Sequence, residues 1–168
     1  AQRVADDVLG QAGVATGVGA VIRHANVEAG SSVLVVGCGG VGLNVVQGAK
    51  LAGAKTIIAC DLLDNKLGLA REFGATHTIN AKSEDVVKRT QELTGGFGAD
   101  YAFDAIGGEK TAVLVVDAIA PGGHAVAYHE GCLGFDELLG EPDPIAGMHS
   151  RFALSGDRVA RALRGLGV

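Results

Sequence analysis

The apolar positions change period several times along the chain, and each change marks an element. From Gln2 to Val27, Val4, Val8, Leu9, Val14, Val18, Val21 and Ile22 recur at mostly helical spacing between glycines, which predicts a leading helical segment. Gly30-Ser31-Ser32 breaks that pattern. Ser32–Gly37 then runs Ser-Val-Leu-Val-Val-Gly. Its apolar residues occupy both faces, as in a strand of a parallel sheet covered from both sides. Gly40–Gly53 returns to helical period, with Val41, Val45, Ala49 and Ala52 near one face.

The alternation continues. Lys55–Asp61 predicts a second strand and Leu63–Phe73 a helix, closed by Gly74 where helices favour a left-handed cap. Thr76–Ile79 predicts a short third strand. Lys82–Leu93 is an amphipathic helix stopped by Gly95-Gly96. Ala99–Asp104 is a fourth strand, Glu109–Ile119 a helix ended by Pro121-Gly122-Gly123, and His124–Tyr128 a fifth strand. Strands and helices in strict alternation, with short connectors, predict an α/β fold: a doubly wound parallel sheet with helices on both faces. Beyond Glu130 the pattern weakens, so 131–168 reads as a divergent tail, a loop and then a basic helix over Arg158–Leu166.

Composition narrows the function classes. The 168 residues include 27 glycines, no tryptophan and a net charge of −5. Basic residues form no stripe, which argues against a nucleic-acid partner. No apolar run reaches the roughly 18 residues of a membrane span, and no secretory signal pattern begins the sequence. Cys38, Cys60 and Cys132 lie far apart without paired spacing, so reduced thiols and a cytoplasmic setting are expected.

The chemistry concentrates after the first strand. Gly37-Cys38-Gly39-Gly40-Val41-Gly42 fits G-x-G-x-x-G. In that pattern the first glycine permits the tight turn and the second lets the backbone approach a pyrophosphate. The third lets helix pack on strand. A helix opening there aims unpaired N–H groups and its positive dipole end at the phosphates. The motif alone is weak in so glycine-rich a chain. Here it follows a predicted strand, opens a predicted helix, and precedes an acid at the end of the next strand, Asp61. A carboxylate at that spacing can accept hydrogen bonds from an adenosine ribose. It would repel a 2′-phosphate, so NAD is expected over NADP. The bland role for Asp61 is a cap on the following helix. Further candidates follow the carboxyl ends of the other strands, where ligands bind in open parallel sheets: Thr78-Ile79-Asn80, and Asp104-Ala105-Ile106-Gly107. Lys66 lies within reach of a ribose hydroxyl or is simply solvated.

These and other segments resemble the medium-chain, zinc-dependent alcohol dehydrogenases. The resemblance rests on Gly13–Ala20 (GVATGVGA), Val27–Leu43, Ala49–Ala54 (AKLAGA), Glu72–Thr76 (EFGAT) and Phe103–Gly107 (FDAIG), collinear over about residues 9–128. It implies a Rossmann-type cofactor domain over 1–130, with 1–27 as its leading helical segment. It implies NAD(H) as cofactor, with Gly39, Gly40 and Val41 lining the pyrophosphate, Gly37 and Gly42 completing the cofactor-binding loop, and Asp61 and Lys66 holding the adenosine ribose. Thr16 would lie near the nicotinamide, and Ala105 and Ile106 at the cleft border. It further implies hydride transfer between an alcohol and an aldehyde on a catalytic zinc.

Two departures limit that carry-over: the zinc ligands are missing, and after Tyr128, where the family continues with a glycine-containing turn and a further strand, the chain reads His129-Glu130-Gly131-Cys132 and the resemblance is lost. The family's zinc-ligating cysteine just before Gly13-Val14 is replaced by Ala12, and alanine ligates no metal. The remaining zinc ligands belong to an N-terminal catalytic domain that these residues do not contain. His124, His129, Glu130, Cys132 and His149 are the one group of ligand-type residues, without H-E-x-x-H or paired-cysteine spacing; no metal site is assigned to them. Ser155-Gly156-Asp157 lacks the context of a nucleophile elbow. No catalytic residue is therefore assigned.

The expectation is an NAD(H)-binding domain of an alcohol dehydrogenase-like oxidoreductase, inactive alone and completed by a missing catalytic domain or a homo-oligomer. The alternatives are a stand-alone nucleotide-binding module and an S-adenosylmethionine-dependent methyltransferase. The latter proteins also carry a glycine loop and an acid after strand two, and they end in an antiparallel hairpin strand.

Overall fold

A computed structural model describes residues 14–128 and the backbone of strand 151–155. Helical backbone over 14–24 forms α1, whose last turn, Ala20–His24, is π-helical. The strands are β1 (Ser32–Val36), β2 (Thr56–Asp61), β3 (His77–Asn80), β4 (Ala99–Asp104), β5 (Ile119–Tyr128) and β6 (Arg151–Ser155). Between them lie α2 (Gly40–Leu51), α3 (Asp64–Phe73), α4 (Val86–Leu93) and α5 (Glu109–Ala118).

The sheet order is β3-β2-β1-β4-β5-β6. The first five strands are mutually parallel and β6 runs antiparallel to β5. The chain leaves β1 toward β2 on one side and later returns to place β4 on the other. The strand order therefore reverses beside β1, which opens a crevice at the carboxyl ends of β1 and β4.

Two apolar layers follow from the apolar runs seen in the sequence. Val33 and Val35 of β1 face one layer with Ala20, Val21, Val45, Val46, Ala49 and Phe103. Leu34 and Val36 face the other, with Ile58, Ile79, Val86, Val115 and Ala118. Thus α1, α2 and α3 cover one face, and α4 and α5 cover the other. Fully burying one such side chain contributes about 1.5–3 kcal/mol. Continuous apolar strands are required here because no face of the central strands meets water.

Most ends move by a residue or two, and three larger differences have a structural cause. The helix predicted from Lys82 begins at Val86. Asn80 organises the intervening turn, its Oδ1 accepting from Lys82 N–H (3.0 Å) and its carbonyl from Glu84 N–H (3.0 Å). Asp85 then caps α4 by accepting from Lys88 N–H. The helix predicted through Ile119 ends at Ala118, because Ile119 turns extended and pairs with Ala99. The apolar run Leu114–Ile119 hides this switch, and the register shifts before Tyr101 meets His124. Lastly, no strand was expected beyond Tyr128, yet β6 pairs along β5 from His124↔Ser155 to Tyr128↔Arg151. The β5 edge is thereby covered. Ala12, residues 1–13, 129–150 and the predicted helix Arg158–Leu166 lie outside the described residues.

Candidate functional site

The glycine loop occupies the turn from β1 into α2. Gly37 has φ +95°, a left-handed conformation that side chains resist. Gly42 is demanded by contact. A Cβ there would stand 1.7 Å from the Gly37 carbonyl oxygen and 3.4 Å from Ala105 Cβ. Helix α2 therefore rests directly on the end of β1. At Gly39 and Gly40 the opposite holds, since no heavy atom lies within 4 Å of an added Cβ. The N–H groups of Gly39, Gly40 and Val41 find no backbone acceptor among the described residues, the usual state of a first helical turn. Open space and unpaired donors at a helix start fit a pyrophosphate, which nicotinamide dinucleotides supply.

Asp61 ends β2 beside this loop. One carboxylate oxygen accepts from Cys38 N–H at 2.8 Å. The other accepts from Leu62 N–H at 2.7 Å and Leu63 N–H at 3.1 Å. The capping role and the loop-organising role are both present, and the side chain remains partly exposed. A carboxylate offers about four acceptor positions, so Asp61 keeps capacity for a hydroxyl donor. Lys66 lies in the first turn of α3, the helix that follows Asp61. Lys66 makes no ion pair among the described residues.

The loop after β4 forms the other wall. Ala105 N–H donates to the Val36 carbonyl at 2.8 Å. Ile106 is 58% exposed, and its Cγ1 lies 2.6 Å from where a Gly37 Cβ would stand. Thr16 sits in α1 beside Gly17, and a Cβ on Gly17 would clash with Asn44 Cβ at 2.6 Å and Val41 O at 2.7 Å. Thr16 is thus held next to the start of α2. Of the candidate residues, Gly37, Gly39, Gly40, Val41 and Gly42 form the turn from β1 into α2, Asp61 bonds to that turn through Cys38 N–H, Ala105 bonds to the end of β1, and Ile106 packs against Gly37, while Lys66 lies on α3 and Thr16 on α1.

Two contributors were missed in the sequence. Asn44 donates from Nδ2 to the Gly40 carbonyl at 2.7 Å, pinning the first turn of α2; its i+4 spacing from the loop was the available signal. Asp104 was noticed only as part of its segment. It is fully buried and accepts from Ile106 N–H, Gly107 N–H and Thr111 Oγ1. Thr78 and Asn80, by contrast, are engaged in structure. Thr78 Oγ1 accepts from Arg71, and Asn80 Nδ2 donates to Asp64.

The thiols and zinc call for a separate test. Cys38 and Cys60 are free and buried, and they belong to different core layers. Burial, with Asp61 adding to it, pushes the Cys38 thiol up to about 12, and burial also pushes Cys60 up to about 12. No group of three His, Cys, Asp or Glu among the described residues could hold a metal ion. The described residues therefore do not fit the family's catalytic zinc. His124 stacks on Tyr101, ring centroids 5.5 Å apart; its former companions His129, Glu130, Cys132 and His149 lie outside the described residues. A surface groove lined by Gln47, Lys50, Leu51, Glu72 and Phe73 lies at the C-terminal ends of α2 and α3. That is the amino-terminal end of the strands, opposite the crevice and away from the glycine loop. Among the described residues no helix is long and apolar enough to cross a membrane.

A family model described as zinc-binding dehydrogenase matches residues 40–129. S-(hydroxymethyl)glutathione dehydrogenase of Paracoccus denitrificans is 51% identical over 104 residues, covering 58% of this chain and 28% of that protein. Benzyl alcohol dehydrogenase from Acinetobacter calcoaceticus superposes with a TM-score of 0.69 at 37% identity, over 73% of this chain and 33% of that one. Alcohol dehydrogenase TADH from Thermus sp. ATN1 superposes with a TM-score of 0.68 at 32% identity, over 80% and 37%. The chain thus spans between 28% and 37% of the length of each. The antiparallel β6 joins the glycine loop and the acid after β2 as features shared with the methyltransferase alternative. The tight Gly37–Gly42 packing and the collinear relatives weigh against that alternative.

Proposed function

The chain belongs to the zinc-binding dehydrogenase family, and from that premise we infer that it is the NAD(H)-binding part of an alcohol dehydrogenase-like oxidoreductase. The observation that carries the reading is the open cradle at Gly39 and Gly40 beside a partly exposed Asp61. Backbone N–H groups of Gly39, Gly40 and Val41 would take the pyrophosphate, with Gly37 and Gly42 fixing the loop. Asp61 and Lys66 would hold the adenosine ribose, and Asp61 would disfavour a 2′-phosphate. Thr16, Ala105 and Ile106 would border the cleft. When bound, the nicotinamide supplies hydride transfer; this chain's own residues bind it, orient it and wall it from water.

Oxidation of an alcohol needs its oxygen polarised beside the nicotinamide, a task zinc performs as a Lewis acid. The described residues offer no such group. A separate catalytic part, from elsewhere in a longer protein or from a partner copy, would supply it, and the isolated chain is expected to turn over nothing. A cytoplasmic setting belongs to the same reading, supported by the free, unpaired Cys38 and Cys60.

Titration of the purified chain with NADH, followed by nucleotide fluorescence, tests the reading. Saturable binding that NADPH competes for poorly is expected. A folded sample that leaves NADH unbound at millimolar concentration refutes it, and S-adenosylmethionine binding in its place would favour the methyltransferase alternative.

A further inference from the structure

The wall of the crevice opposite Asp61 depends on a carboxylate that no ligand can reach. Asp104 is 0% exposed. An ionised carboxylate is expensive to bury unless its oxygens are hydrogen-bonded, and here three donors converge on it. Oδ1 accepts from Ile106 N–H at 2.9 Å and Gly107 N–H at 3.1 Å. Oδ2 accepts from Thr111 Oγ1 at 2.7 Å. Thr111 in turn accepts from Gly108 N–H at 3.0 Å, at the start of α5. One side chain thus fixes the segment that joins β4 to α5.

That segment matters because of where it puts Ile106. The isoleucine is 58% exposed, so packing does not bury it. It nonetheless lies against Gly37, its Cγ1 2.6 Å from the place a Cβ would fill. Its backbone is held by Asp104, and Gly107 turns away at φ +81°. We propose that Asp104 is a positioning residue of the cofactor cleft: through the Ile106 and Gly107 N–H groups it holds Ile106 across Gly37 and so sets the wall a dinucleotide meets. The proposal rests on the dinucleotide-binding reading above. It predicts that hydrogen-bonding geometry, rather than negative charge, is what Asp104 contributes. An asparagine there can keep Oδ1 on the two N–H groups and donate from Nδ2 to Thr111 Oγ1. The Thr111 proton then goes to the Gly108 carbonyl, already 2.9 Å away. An alanine can do none of this.

The test uses the full 168-residue chain with NADH as probe. Wild type, Asp104→Ala, Asp104→Asn, Ile106→Ala and the Asp104→Ala/Ile106→Ala double variant are compared in NADH affinity. Amide exchange at Ile106 and Gly107 is read without nucleotide. Asp104→Ala is expected to weaken NADH about tenfold and expose both amides to exchange, while Asp104→Asn stays within about threefold and keeps them protected. Because Asp104 acts through Ile106, the double variant should be no more than about twofold weaker than the more damaging single. A merely structural role would let the two single losses multiply. Multiplying losses, an asparagine as damaging as alanine, or unchanged protection in Asp104→Ala would each overturn the proposal. If Asp104→Ala does not fold, Thr111→Val takes its place in the cycle and must show the same non-additivity. A wild-type chain that binds no NADH refutes the dinucleotide reading instead, and the amide exchange still decides whether Asp104 positions Ile106.

Discussion

Two aspartates end the strands that flank β1, one on each side of the glycine loop, and each accepts three hydrogen bonds, yet they differ in exposure. Asp61, after β2, takes the N–H groups of Cys38, Leu62 and Leu63 and stays partly open. Asp104, after β4, takes the N–H groups of Ile106 and Gly107 and the Thr111 hydroxyl, and it is wholly enclosed. Both organise the loop that follows their strand. Only Asp61 retains an approach for a ligand. A carboxylate at a strand's carboxyl end is therefore a binding group or a scaffold according to whether water reaches it.

The sharpest way to break the comparison is stability. Asp104→Ala empties a fully buried site and removes three hydrogen bonds made inside the fold, which should cost about 3 kcal/mol, whereas Asp61→Ala, at a partly exposed site, should cost about 1 kcal/mol. Chemical denaturation of both variants checks this, and equal losses would erase the distinction. Next is ligand discrimination. Asp61→Asn should narrow the NADH-over-NADPH preference about tenfold, worth roughly 1.4 kcal/mol, while Asp104→Asn should leave that ratio unchanged. Competitive titration with both nucleotides reads it. A smaller effect belongs to Lys66. Lys66→Ala should weaken NADH about threefold at low salt and less at high salt, as for a partly exposed charge. The smallest separates fold from site. Gly68 lies within α3 with open space where a Cβ would go. Gly68→Ala should stabilise the chain by about 0.5–1 kcal/mol without changing NADH affinity.

Much of this was legible in the sequence because the informative features are local. Continuous apolar strands, glycine punctuation and the spacing from Gly42 to Asp61 are properties of short segments. They led to a parallel sheet and to the turn between β1 and α2 as its candidate site. What escaped depends on contacts made at a distance. Ile119 continues a helical apolar run, and its pairing with Ala99 alone turns it into strand. β6 has no alternating signature of its own, and its place comes from β5. Asp104 resembles Asp61 by position, and only burial tells them apart. Asn44 looks like an ordinary polar helix residue until its bond to the Gly40 carbonyl is seen.

The central claim is that the Gly37–Gly42 loop, with Asp61, holds a nicotinamide dinucleotide. Mapping backbone amide shifts of the isotope-labelled chain during NADH titration tests it most directly. The account predicts that the largest shifts fall on Gly39, Gly40 and Val41, with further shifts at Asp61, Lys66 and Ile106. Shifts gathered instead around Gln47, Leu51 and Phe73, or a folded chain whose loop amides stay still at millimolar NADH, would contradict it.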